Sequence, residues 1–219
     1  MRIEIAELSR MAVLALALCA GCQDDITTPF PEGLEPLEDN PIPPDDSRAE
    51  ELRLEASTVD HIRIYGRGYV HAPPAVVWSA TKDPEVMAAV CHTTSHAITL
   101  GAEPGSEAYE LAYVVHYYVD DILDVEWDDA WRYGTIAGAP DAPTRGMIKH
   151  QKIAGSDFVS LSAGTIEILA TDDPDVTELS FVEHLDAIQA SSYDVAVSVK
   201  HNFDTIVATV HERPVPSCQ

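Results

Sequence analysis

From residue 61 to 211 the hydrophobic positions follow two different periods. In 61–70 they recur every second residue. Ile62, Ile64, Gly66, Gly68 and Val70 share one side, and Arg63, Tyr65, Arg67 and Tyr69 the other. That is the pattern of a half-buried strand. Ala72-Pro73-Pro74 stops it. Proline suits the first turn of a helix, where its missing N–H has no partner anyway. Residues 74–80, with Val76, Val77 and Trp78, therefore predict a short helix. Asp83-Pro84 starts a second one through Val86, Met87 and Val90, with Asp83 as its cap. Beyond Cys91 strand-like segments occupy 96–100, 108–119, 122–136, 144–154, 158–170 and 177–188, with turns at 101–105, 138–143 and 172–175. Residues 191–211 contain no Gly or Pro, and Val195, Val199, Phe203, Ile206 and Val210 fall at steps of three and four. They predict one amphipathic helix of about five or six turns.

The order is strand, two short helices, six strands, long helix. Short turns between successive strands imply antiparallel pairing. The expected fold class is α+β: a curved antiparallel sheet of about seven strands whose apolar face is covered by the long helix.

Residues 22–60 differ. Acids are frequent, and prolines stand at positions 29, 31, 36, 41, 43 and 44. Such a composition lacks the apolar area to offset its ordering entropy, and proline and self-repulsion keep it extended. An acidic tether is expected there; a partner-binding peptide is the alternative. Residues 49–56 could form a short helix. Upstream, Arg2 and Arg10 precede the uncharged run Met-Ala-Val-Leu-Ala-Leu-Ala-Leu at 11–18. This run is too short to span a bilayer, which takes about 20 apolar residues, but fits the core of a secretory signal peptide. Leu18-Cys19-Ala20-Gly21-Cys22 resembles the bacterial lipobox. That resemblance implies cleavage after residue 21, lipidation of Cys22 and a place on the cell envelope, with Gln23 favouring the outer membrane. Ordinary cleavage nearby is the alternative. The expected organisation is signal peptide 1–21, tether 22–60, domain 61–213 and tail 214–219.

Charge narrows the partners. With 13 Lys+Arg against 37 Asp+Glu the net charge is -24. Nucleic acid is disfavoured, because its binding rests on basic side chains neutralising phosphates, and so are anionic lipid headgroups.

The stretch 68–78, GYVHAPPAVVW, followed by TKDPE at 81–85, resembles the opening of the START and birch-pollen-allergen (SRPBCC) superfamily. The element order and the final helix fit as well. The resemblance covers 61–211 and implies the helix-grip fold with an apolar cavity between sheet and long helix. Members bind lipids, sterols, polyketides or other apolar ligands, and some are cyclases or hydrolases. In that fold the short helices cradle the end of the long one, which implies a Cys91–Cys218 disulfide in an oxidising compartment.

The strand faces then supply candidate ligand-binding residues: Tyr113, Tyr117, Trp127, Asp129, Trp131, Phe181 and Glu183, with Phe203 from the long helix. The aromatics would line a cavity or fill a core. Asp129 and Glu183 are acids on apolar faces, so each is a polar anchor, a general base, or turned outward by a bulge or sheet end. His116, His150 and His184 lie on candidate strands without metal-site spacing, and no nucleophile elbow or phosphate loop occurs. No metal or cofactor is expected. The leading function is binding of a hydrophobic small molecule or lipid. A cyclase- or hydrolase-like enzyme using Asp129, Glu183 or His184, and an envelope protein-interaction module, are the alternatives.

Overall fold

The computed structural model describes residues 33–88, 90–101, 106–120 and 124–218. Cys22 and the signal peptide lie outside them. Eight strands form one antiparallel sheet. They are β1 (Leu52–Ser57), β2 (Ile62–Val70), β3 (Ser95–Leu100), β4 (Leu111–Asp120), β5 (Asp124–Ala139), β6 (Ala142–Gly155), β7 (Val159–Ala170) and β8 (Thr177–Ala187). Their spatial order is β1-β2-β8-β7-β6-β5-β4-β3. Two short helices, α1 (Pro74–Thr81) and α2 (Pro84–Ala88), follow β2, and α3 (Ser192–Val210) ends the fold. The architecture is α+β with eight strands rather than about seven. Among the described residues no helix is long and apolar enough to cross a membrane.

The helices start where the chain's chemistry places them. Pro74 opens α1. Asp83 accepts from the Glu85 N–H at 3.1 Å at the start of α2. Ser191 caps α3 by accepting from the Asp194 N–H at 3.2 Å, which satisfies one of the orphan donors of a first turn. Val195, Val199, Phe203 and Ile206 of α3 are buried, each contributing about 1.5–3 kcal/mol by leaving water. The helix lies close to β2 because Gly68 has no side chain. A Cβ there would come 2.8 Å from the Phe203 ring, so the glycine marks a close packing contact.

Cys91, just after α2, is bonded to Cys218 at 2.07 Å, at a sequence separation of 127. The bridge ties the tail beyond α3 to the connection before β3.

The tether expectation is corrected for residues 33–60. Residues 52–57 form a strand rather than a helix: β1 pairs with β2 from Leu52↔Gly68 to Ser57↔Arg63, and Leu52 and Leu54 pack on the core. Ahead of it the chain crosses the outer face of the sheet as a strap. Leu34 lies over Gly134 of β5. Lys149 of β6 donates to the Glu35 carbonyl at 3.2 Å. Asn40 donates to the Gly66 carbonyl at 2.8 Å, the Ser180 hydroxyl at 3.0 Å and the Phe181 carbonyl at 3.2 Å. Glu38 accepts from the Tyr65 hydroxyl at 2.8 Å and meets His184 Nε2 at 2.7 Å. Ile42 is only 2% exposed. Mean composition hid this docking, which rests on a few specific side chains rather than on bulk apolar area.

Candidate functional site

The inner faces of four neighbouring strands, β5 to β8, build the floor of a cavity. Successive side chains of a strand alternate between faces, so Trp127, Asp129, Trp131 and Tyr133 of β5 all face α3. Register sets Trp131 opposite His150 of β6, His150 opposite Gly164 of β7, and Gly164 opposite Glu183 of β8. A shift in β6 pairs Asp128 with Ala154 and Asp129 with Lys152. It leaves Ile153 as the extra residue, the kind of bulge that re-aims side chains beside a site.

The cavity has a volume of about 400 Å³ and lies between this floor and the first half of α3. Its walls are largely apolar: Tyr117, Val119, Val125, Trp127, Trp131, Val159, Leu185, Val195 and Val199. Its rim includes His92 and Asp194, with side chains 60% and 41% exposed, and the exposed Ile188. Of the residues expected to bind a ligand, Tyr117, Trp127, Asp129, Trp131 and Glu183 line it. Tyr113, Phe181 and Phe203 do not. The Tyr113 hydroxyl is 2.7 Å from that of Tyr133, and Phe181 meets Phe203 edge-on at 6.5 Å. These three fill the packed core.

Asp129 and Glu183 face inward, and a residue that sequence reasoning gave no ligand role joins them. His150 Nε2 is 2.9 Å from Glu183 Oε2, and Nδ1 is 3.8 Å from Asp129 Oδ2. Ser162 donates to Asp129 Oδ2 at 3.0 Å. The imidazole stacks on Trp131, centroids 4.3 Å apart. Gly164 makes this possible, since a Cβ there would stand 2.1 Å from His150 Nε2 and 2.2 Å from Glu183 Oε2. Burial opposes a charge on His150, but Glu183 and Asp129 outweigh it, pushing its pKa up to about 10. The floor therefore holds an imidazolium between two carboxylates. Burial, helped by the Asp129 charge, also raises the Tyr117 phenol well above its ordinary range. Sequence alternation alone could not orient His150, because Met147 and Ile148 are both apolar; only register does.

Several polar atoms of the cavity residues lack a hydrogen-bond partner among the described residues: Tyr117 Oη, Trp127 Nε1, Trp131 Nε1, His150 Nδ1, Asp129 Oδ1 and Asn202 Oδ1. The Trp131 N–H lies toward the Tyr117 hydroxyl but out of hydrogen-bonding alignment.

His116, His184 and His201 lie elsewhere. His184 is on the outer face with Glu38, so it is withdrawn as a cavity acid or base. His116 pairs with Asp128 at 2.8 Å, also on the outer face, so His116, His150 and His184 do not converge on a metal. A donor atom of His201 lies within 4.8 Å of the sulfurs of Cys91 and Cys218, but those sulfurs are bonded to each other.

No family model matches the chain. No curated protein matches it either. Solved structures similar to it include START-type domains. Human STARD10 has a TM-score of 0.49 at 11% identity, over 82% of this chain and 83% of that one. A START superfamily protein from Mycobacterium smegmatis has a TM-score of 0.48 at 12% identity, over 68% and 97%. The Zhui aromatase/cyclase from a Streptomyces species has a TM-score of 0.42 at 14% identity, over 73% and 92%. At these identities nothing about ligand or activity carries across.

Proposed function

We propose that this chain is an envelope lipoprotein, anchored through Cys22, whose domain holds a hydrophobic small molecule or lipid between the sheet and α3. The observation that carries the binding reading is the cavity of about 400 Å³ with its largely apolar wall. That lies within the usual range of small-molecule pockets, and a few convergent polar groups on an apolar lining are their common form. Native mass spectrometry of protein purified without detergent is expected to show a bound apolar adduct lost on denaturation. An apolar fluorescent probe such as N-phenyl-1-naphthylamine should also bind. A folded protein that carries no adduct and takes up no probe would end this reading. The anchor has its own test: the chain should partition into detergent, and Cys22→Ala should move it to the aqueous phase. Equal partitioning of both forms removes the anchor and leaves the cavity untouched.

A catalytic reading draws on the convergence of Asp129, His150 and Glu183. Binding without chemistry is favoured because neither His150 nor Ser162 is placed to act as a base or a nucleophile. His150, with its pKa near 10, holds its proton at neutral pH and offers no base. Ser162 donates to a carboxylate instead of being activated by a base.

A further inference from the structure

The floor of the cavity is richer in donors than in acceptors, and that asymmetry restricts what polar group can sit on it. The indole N–H groups of Trp127 and Trp131 can only donate. His150 Nδ1 has no hydrogen-bond partner, with Asp129 Oδ2 3.8 Å away, and the Tyr117 hydroxyl is also without one. Against these stand, among the buried atoms without a partner, the acceptors Asp129 Oδ1 and Asn202 Oδ1. Tyr117, Asp129, Trp131 and His150 are all at least nine-tenths buried, so water competes poorly for them and a ligand that satisfies them gains affinity.

Three kinds of head group can be weighed against this set. A carboxylate or phosphate would suit the donors but would stand beside two carboxylates, Asp129 and Glu183, balanced by one imidazolium. An ammonium would suit those carboxylates but would leave both indole N–H groups unpaired and meet the charge on His150. A hydroxyl does both jobs without a charge: its oxygen accepts from an indole or imidazole N–H while its hydrogen goes to Asp129 Oδ1.

We propose that this cavity selects an uncharged apolar ligand whose hydroxyl head sits against Asp129, His150 and the paired indoles, in preference to a fatty-acid-like anion or a lipid-like cation. This deepens the binding reading above and rests on it.

Isothermal titration of the whole chain at pH 7 with one ring system and four heads tests it: 2-naphthol, 2-naphthoate, 2-naphthylmethylammonium and 2-methylnaphthalene. The naphthol is expected to bind at least tenfold more tightly than each of the others. Asp129→Asn should cut its advantage over methylnaphthalene at least fivefold and strengthen naphthoate. Trp127→Phe, which keeps the ring and loses the N–H, should weaken naphthol at least threefold with methylnaphthalene unchanged. Tightest binding of the anion or the cation, equal binding of naphthol and methylnaphthalene, or an advantage untouched in both variants would overturn the hydroxyl selection and leave the cavity reading standing. Binding of none of the four by the folded protein would overturn the cavity reading itself.

Discussion

Gly164 is the residue on which the polar floor depends. It separates His150 and Glu183 in the sheet register, and their side chains meet across the space a Cβ would fill. Gly164→Ala must displace the end of one of these side chains and break the His150–Glu183 pair. A loss of about 1–3 kcal/mol in chemical denaturation is expected. A second expectation concerns pH. The folded pKa of His150 is raised to about 10, against about 6.5 for an unfolded histidine. A raised folded pKa gives stability that is complete below the unfolded value and is lost as pH climbs through the folded one. Between pH 6.5 and 10 the protein should therefore lose a few kcal/mol that His150→Gln does not lose. Parallel denaturation curves for the two proteins over that range would refute this.

At the scale of elements, strands and helices were largely legible because two periods separate cleanly. The alternation in β4, β5 and β8 placed Tyr117, Trp127, Asp129, Trp131 and Glu183 on the face that bounds the cavity. What stayed hidden is what depends on pairing between distant strands: the meeting of His150 with Glu183, and the division of aromatics between cavity wall and core. β1 was hidden for another reason. Leu52 and Leu54 alternate with Arg53 and Glu55, but over too few residues to stand out from the acidic stretch around them. A chain beginning at Gly33 should keep full stability, whereas one beginning at His61 should lose several kcal/mol or fail to fold, because it lacks β1, the buried Ile42 and the bonds of Asn40. Thermal melts of the two distinguish this from a passive tether, for which both would melt alike. Replacing Cys91 and Cys218 by serine should cost about 2–5 kcal/mol, since the bridge closes a long loop, measured against the oxidised protein in denaturant.

For the whole molecule, charge is the dominant physical fact. At a net -24, self-repulsion works against the folded state, and added salt screens it. Raising sodium chloride from about 20 mM to about 500 mM shortens the screening length and should lift the melting temperature. An unchanged or falling value would mean that local ion pairs, such as Arg67 with Glu178, outweigh the repulsion.

The strap has one consequence for where the domain can go. Were residues 22–60 all free, an anchor at Cys22 would leave a leash able to reach about 130 Å. With the chain fastened to the sheet from Leu34 onward, only the eleven residues 23–33 would span the gap, a length of at most ~40 Å. An anchor at Cys22, as proposed, would therefore keep the domain within a thin shell above the bilayer that holds it.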